Sequence, residues 1–120
     1  RKQPLYFKCY SRSQRISTNE DCSGAHVTVK YTGLHTVYGF IPLVNFANNN
    51  QESIDIYIVT SLGRHKIYDG ATYRLRNSPT NNYISINLQQ GEVIKSLYFV
   101  KSNHTANFYL DPFELKITPA

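Results

Sequence analysis

Four basic residues flank an Asp-Gly pair in the middle of this sequence. Arg64 and Lys66 precede Asp69-Gly70, and Arg74 and Arg76 follow it. Asp-Gly between two short alternating runs predicts a two-residue hairpin turn, so the first basic pair would face the second across two strands. The resulting positive stripe favours sulfated glycans, phosphate-bearing lipids or acidic protein surfaces as partners. The alternative is an edge hairpin that charge protects from aggregation.

Two tyrosines are predicted to lie on the outward faces of strands. Tyr57 alternates with inward isoleucines in the run 53–59, and Tyr83 does so in the run 82–88. An outward Tyr can stack on a sugar ring or fill a protein interface, although it can also simply stabilise a cross-strand pair. Asn side chains in neighbouring turns add the donors and acceptors that sugar hydroxyls need. The candidate ligand-binding residues are therefore Arg64, Lys66, Arg74, Arg76, Tyr57 and Tyr83.

No set of side chains in the sequence has the spacing of a catalytic motif. The four histidines, at positions 26, 35, 65 and 104, are predicted to lie at the surface, with His35 in a turn. Phosphodiester cleavage needs a base, an acid and a cation, so a small secreted nuclease that uses His65, Lys66 and a second histidine is a third functional hypothesis. The sequence contains no glycine-rich phosphate loop and no nucleophile elbow. We therefore expect that the chain is not an enzyme.

Carboxylates are sparse, with eight acidic residues in the chain. Asp55 and Glu114 are predicted to point outward and could line a groove for glycoside hydrolysis. Outward carboxylates on a sheet more often pair with Lys or Arg across strands, which is the favoured interpretation here. The Asn-rich segment 45–52 supplies one carboxylate, which is too few for calcium, and is interpreted as a hairpin loop. We expect neither a metal nor another cofactor.

Two cysteines, Cys9 and Cys22, are predicted to form a disulfide. Twelve residues lie between them, and closing a loop of this size stabilises a fold by about 3 kcal/mol. The absence of a Cys-x-x-Cys pattern disfavours a zinc site or a redox motif. A disulfide indicates an oxidising compartment, and Asn103-His104-Thr105 fits an N-glycosylation acceptor. The polar loop 11–20 suggests a second functional hypothesis, a small secreted effector or enzyme inhibitor that acts through this loop.

Alternation with period two dominates the chain and predicts strands with one buried face. Glycine, proline and Asn-rich turns separate about eight such runs, and no stretch of ten residues has helical periodicity. The spacing predicts a single antiparallel β-sandwich over residues 1–120, of jelly-roll or immunoglobulin-like type, with essentially no helix. Pro42, shortly after Gly39, predicts a bent strand or one that crosses between sheets, because Pro cannot occupy a central ladder position.

Length and composition agree with one secreted domain. The chain has 120 residues, of which 41% are hydrophobic and 18% charged, with a net charge of +5 and no Met. These values exclude a multidomain protein, a membrane-spanning helix and a coiled coil. The missing Met predicts a mature chain without its signal peptide, or a domain of a longer chain. The leading hypothesis is a secreted or periplasmic, non-catalytic binding module. It would bind a glycan or an acidic host or partner protein through a sheet face or loop ends. The expected secretion disfavours nucleic acid as the ligand.

Overall fold

A computed structural model of the chain describes residues 2–10, 22, 26–45, 52–69, 74–75, 80–101 and 108–120. These residues contain strands and turns but no helix, and all of their strand pairings are antiparallel. Within them, therefore, no helix is long and apolar enough to cross a membrane. The predicted all-β, antiparallel fold class is confirmed.

The described residues form eleven strands. The longer ones alternate buried and exposed side chains, and the shorter ones, of two or three residues, pair with a neighbouring strand. In chain order they are β1 (Leu5–Cys9), β2 (Val27–Thr28), β3 (Gly33–Ile41), β4 (Leu43–Asn45), β5 (Glu52–Thr60), β6 (Gly63–Tyr68), β7 (Arg74–Leu75), β8 (Thr80–Leu88), β9 (Val93–Lys101), β10 (Phe108–Leu110) and β11 (Phe113–Pro119).

Eight of these strands form the two sheets of a sandwich. The first sheet has the order β1-β11-β3-β8, and the second has the order β2-β9-β5-β6. Strand β7 adds to the second sheet by pairing with β5, and β4 pairs with β10 separately. Successive strands often change sheet, as β8 and β9 do through the turn at residues 89–92. The predicted sandwich of about eight strands is confirmed.

The core lies between the two sheets and is built from the inward positions of both. Burial of apolar side chains is the main favourable term in folding, and the strands from both sheets supply fully buried aliphatic and aromatic groups. A register shift between Ile56 and Tyr57 allows Ile67 and Tyr68, which are adjacent in β6, both to be buried. The largest fully buried side chains are Phe7, Phe99, Ile41, Ile54, Ile56, Ile58, Ile67 and Leu88.

The chain leaves the first sheet at Pro42, as its sequence predicts. Strand β3 ends at Ile41, and the next strand, β4, pairs outside both main sheets. Gly39 lies opposite Leu115 where β11 approaches β3 closely. A Cβ at position 39 would lie 2.9 Å from the carbonyl oxygen of Glu114, so only glycine fits there without a shift of the backbone.

The predicted disulfide between Cys9 and Cys22 is confirmed, with the two Cα atoms 5.4 Å apart. That separation lies within the range that disulfides normally span. Cys9 is buried at the end of β1, and Cys22 packs against the core. The predicted loop 11–20, the Asn-rich segment at residues 46–51 and the glycosylation triplet at 103–105 lie outside the described residues.

Candidate functional site

The outer face of the second sheet carries two neighbouring tyrosines. Tyr57 on β5 pairs with Lys66 on β6 and with Tyr98 on β9, so the three residues form a row across three strands. The ring centroids of the tyrosines are 6.3 Å apart, with the planes inclined at 59°. Tyr57 is half-buried, whereas Ile56 and Ile58 beside it are fully buried. The predicted outward position of Tyr57 is confirmed.

Two cations lie over these rings. The guanidinium carbon of Arg64 is 3.8 Å from the ring centroid of Tyr98, and the ammonium of Lys66 is 5.6 Å from that of Tyr57. Both distances lie within the range of cation–π attraction. Arg64 pairs with Val59 on β5, so its side chain must cross β5 to reach the ring on β9. The stacked guanidinium keeps its N–H edge available for an anion, since stacking uses only its flat face.

An ion pair borders the same row. The ammonium of Lys66 is 3.6 Å from a carboxylate oxygen of Asp55. The charge of Asp55, followed by that of Tyr57, raises the pKa of Lys66 above its ordinary value, so the side chain is cationic at neutral pH. We refer to Arg64, Lys66, Tyr57, Tyr98 and Asp55 together as the cation–tyrosine face.

The two outward carboxylates singled out from the sequence lie on different sheets. Asp55 belongs to the second sheet, whereas Glu114 on β11 of the first sheet is 3.6 Å from the ammonium of Lys8. The expectation that outward carboxylates pair with Lys across strands is confirmed for both. Because they occupy the outer faces of opposite sheets, Asp55 and Glu114 cannot flank one glycosidic bond, as a hydrolase pair must.

The structure does not pair β6 with Arg74 and Leu75, as a hairpin at Asp69-Gly70 predicts; residues 70–73 themselves lie outside the described residues. Strand β6 forms its hairpin with β5, and Gly63 pairs with Thr60. In that hairpin the hydroxyl oxygen of Thr60 accepts a hydrogen bond from the backbone N–H of Leu62, at 3.2 Å. Local turn chemistry at residues 60–63 therefore decides the pairing.

The positive stripe consequently has a different arrangement from the predicted one. Strand β7 pairs with β5, with Arg74 opposite Ser53, and not with β6. Arg74 is thus placed opposite the beginning of β5 instead of facing Lys66. Arg76 lies outside the described residues. The structure brings Arg64, Lys66 and Tyr57 together.

Tyr83 lies in a different sheet from Tyr57. Its backbone belongs to β8 of the first sheet, where it pairs with Tyr38 on β3. Its side chain lies outside the described part of the structure. The two tyrosines proposed from the sequence therefore do not share a strand ladder.

A pocket of about 350 Å³ opens at the end of the sandwich beside this face. Its walls come from three connections, namely the segment before β3, the β5–β6 hairpin and the turn between β8 and β9. Arg64 lines the pocket as well as lying on the cation–tyrosine face. The other lining residues are Thr32, Gly33, Leu62, Gly63, His65, Asn87, Leu88, Gln89 and Glu92.

A buried carboxylate, that of Glu92, forms part of the pocket wall. It accepts hydrogen bonds from the Thr60 hydroxyl, from the backbone N–H of Gln89 at 2.9 Å, and from Nε2 of His65 at 2.8 Å. Burial raises the pKa of Glu92, but these three hydrogen bonds and the charge of His65 outweigh it, so the pKa lies below its ordinary value. Glu92 is therefore a buried anion that joins the β5–β6 hairpin to the turn between the sheets.

Of the histidines predicted at the surface, His35 is buried and His65 is only partly exposed. His65 is largely buried against Glu92, and His35 is buried in β3, where its Nδ1 lies 2.8 Å from the carbonyl oxygen of Gly33. His65 and Lys66 are adjacent in a strand, and their side chains contact different partners, Glu92 and Asp55. His65 and Lys66, two of the residues of the nuclease hypothesis, are therefore not directed at one site. In the described part of the chain, no group of three His, Cys, Asp or Glu side chains could hold a metal ion.

Two residues of this region were missed by the sequence analysis. Tyr98 alternates with the buried Leu97 and Phe99, so period-two analysis of β9 could have found it. Glu92 gives no such signal, because its position in a turn predicts exposure whereas its carboxylate is buried. Its partner His65 lies 27 residues away in sequence.

Comparisons with known proteins assign no family to the chain. No family model matches the sequence, and no curated protein matches it significantly. Murine APRIL at pH 8.5 is 14% identical with a TM-score of 0.47, over 98% of this chain and 100% of that one. Eiger TNF from S. frugiperda is 13% identical with a TM-score of 0.46, over 99% and 94%. The CBM22-1 xylan-binding domain of Paenibacillus barcinonensis Xyn10C is 13% identical with a TM-score of 0.44, over 94% and 72%. At these values the similarities assign no ligand or partner.

Proposed function

We propose that this chain is a secreted, non-catalytic binding domain whose cation–tyrosine face recognises an acidic glycan, one that carries sulfate or carboxylate groups. The observation that carries the proposal is the guanidinium of Arg64 stacked on Tyr98, beside the ammonium of Lys66 above Tyr57. A guanidinium fixed by stacking presents paired N–H donors that match a sulfate or carboxylate in a bidentate arrangement.

The chemistry of the face favours a glycan over an acidic protein surface. Sugar hydroxyls both donate and accept hydrogen bonds, and the face offers the ammonium of Lys66, the carboxylate of Asp55 and two phenol groups. Protein interfaces concentrate their binding energy in aromatic and arginine side chains that fill well-packed, fully desolvated pockets. The exposed aromatic side chains of strands β1 and β3, Tyr6, Tyr38 and Phe40, belong to the first sheet and not to this face.

Charge and compartment support the same proposal. The net charge of +5 attracts polyanions at long range, and salt should weaken that attraction. The disulfide between Cys9 and Cys22 suits an oxidising compartment, in which sulfated and uronate-bearing glycans also occur.

The test is a titration of the purified chain with heparin, polygalacturonate and neutral dextran at two salt concentrations. We expect binding to an acidic glycan that weakens with salt, and none to dextran. Arg64→Ala should weaken binding about tenfold or more, because a hydrogen bond to a charged group is worth about 1.5–3 kcal/mol. Arg64→Lys should retain more glycan binding than Arg64→Ala but less than the native chain, since lysine keeps the positive charge and lacks the planar guanidinium that binds an anion through two N–H groups.

The matched control compares Lys66→Ala with Lys116→Ala. Both lysines are exposed on strands, but Lys116 lies on β11 of the opposite sheet. Lys66→Ala should weaken binding severalfold, and Lys116→Ala should leave it unchanged. Equal losses in the two variants would indicate non-specific attraction to a basic protein and overturn the proposal, as would a folded chain that binds neither acidic glycan.

A further inference from the structure

We infer that the pocket at the end of the sandwich binds the terminal unit of the acidic glycan, so the domain recognises chain ends and not the interior of the polymer. This inference rests on the proposed function. It adds a second subsite to the cation–tyrosine face and states where along the glycan the domain binds.

The pocket and the face are continuous through one residue. Arg64 lies over Tyr98 on the face and also lines the pocket. Along β6, successive outward positions lead from Lys66 to Arg64 and then to the hairpin, where Leu62 forms part of the pocket wall. A chain that lies on the two tyrosines and contacts Arg64 is therefore directed into the pocket.

The size of the pocket and its position between three chain connections suit an end better than a passing chain. A volume of about 350 Å³ lies near the lower limit of small-molecule pockets, which is enough for a small unit. On the side away from β6 the walls are backbone connections, with Thr32 and Gly33 from one and Gln89 from another. A glycan that enters from the face meets these connections, and its continuation past them is hindered.

The lining chemistry suits an acidic sugar unit. Exposed side chains of Asn87, Gln89 and Thr32 supply amide and hydroxyl groups, and Leu62 supplies an apolar surface for a ring face. Arg64 supplies the cation for a carboxylate or sulfate group. Converging polar groups in a mostly preformed concave site are typical of small-ligand binding.

Glu92 holds the side chain of His65, another lining residue of the pocket, in a fixed orientation. Because the carboxylate of Glu92 lies 2.8 Å from Nε2 of His65, the imidazole ring that lines the pocket is fixed through this nitrogen. Glu92 is itself buried and already accepts three hydrogen bonds, so it is a positioning residue and does not bind the ligand. A ring fixed in this way costs little conformational entropy on binding.

The experiment measures binding per chain of a heparin tetrasaccharide and of intact heparin. End recognition predicts dissociation constants per chain that agree within about twofold, whereas interior binding makes the polymer tighter because it offers many registers. Two derivatives of the tetrasaccharide carry a bulky tag at one end each, the first at the reducing end and the second at the non-reducing end. Modification of one specific end should weaken binding about tenfold or more.

Two variants on one strand provide the matched comparison. Asn87 lines the pocket, and Ser85, two residues earlier on β8, is exposed outside it. Asn87→Ala should weaken tetrasaccharide binding about three- to tenfold, the loss expected for a hydrogen bond to a neutral group. Ser85→Ala should have no effect.

The outcomes separate this inference from the proposed function. If Lys66→Ala weakens heparin binding but end modification and Asn87→Ala do not, the glycan-binding face stands and the terminal subsite is overturned. If no acidic glycan binds in any form, both are overturned. Binding of the tetrasaccharide that depends on one end and on Asn87 supports both.

Discussion

Replacement of Glu92 by Gln tests whether the buried anion stabilises the sandwich. Gln has the shape of Glu, so no cavity forms, but its amide has one acceptor oxygen where the carboxylate has two. In the native protein one carboxylate oxygen accepts from Thr60 and His65, and the other accepts from the backbone N–H of Gln89. Turned one way, its NH₂ group faces the backbone N–H of Gln89; turned the other way, it faces Thr60 and His65, which then no longer donate to position 92.

The expected loss of stability follows from these contacts. An unpaired buried donor costs about 1–3 kcal/mol, and the remaining hydrogen bonds lose their charge assistance. The cheaper burial of a neutral group offsets part of this cost. We expect Glu92→Gln to lower the free energy of unfolding by about 2–3 kcal/mol in total. For a chain of this length the melting temperature should fall by roughly 4 °C per kcal/mol, or about 8–12 °C.

The assay is urea denaturation of both proteins at several pH values, with the difference in unfolding free energy as the readout. The folded-state pKa of Glu92 lies below its unfolded value, which is about 4.3. The stabilisation from its ionised form is therefore fully present above that pH and is lost as the pH falls through the folded-state pKa. The advantage of the native protein over Glu92→Gln should be constant near neutrality and shrink in the acid range.

Glu114→Gln is the control, since it makes the same chemical change at an exposed ion pair with Lys8. Exposed pairs contribute about 0–1 kcal/mol, so the control should barely change stability. Equal effects of the two substitutions, or a difference between native and Glu92→Gln protein that does not vary with pH, would refute the assignment of a buried, hydrogen-bonded carboxylate.

Two further predictions concern the scaffold. Replacing both Cys9 and Cys22 by Ala should lower the free energy of unfolding by about 3 kcal/mol, measured as a lower urea midpoint under oxidising conditions; an unchanged midpoint would argue against a stabilising cross-link. Gly39→Ala should cost about 1–3 kcal/mol in thermal unfolding, because the added Cβ meets Glu114 and Leu115 of β11. A variant as stable as the native chain would show that β11 moves away without cost.

Local alternation was sufficient to predict most of the strands and the orientation of Tyr57, but it missed the start of β3, where His35 was expected in a turn. The isoleucines at 54, 56 and 58 are fully buried, as their period-two spacing indicates, because a strand places alternate side chains on opposite faces. The break at Pro42 was equally predictable, since the missing N–H of proline is a local property. The disulfide followed from the number and spacing of the cysteines.

Pairing between strands was less predictable. Asp69-Gly70 has good turn chemistry, but turn chemistry does not specify which strand is the partner, and the hydrogen bond from Leu62 to Thr60 sets a different hairpin. Contact between His65 and Glu92 depends on where two distant turns meet in space. The meeting of these two turns follows from the topology of the sandwich, and no local sequence pattern predicts it.

The strand order also has a consequence for how the chain folds. Among the described strands, β5 and β6 are the one pair that is adjacent both in sequence and in the ladder, whereas β1–β11, β3–β8 and β5–β9 join distant segments. Each distant pairing can form only after a long loop has closed, which costs conformational entropy. We therefore expect folding in the millisecond-to-second range typical of β-sandwiches. The β5–β6 hairpin can form early, and with it Arg64, Lys66 and Tyr57 come together. The cation–tyrosine face would then be half assembled before the sandwich closes and Tyr98 joins it.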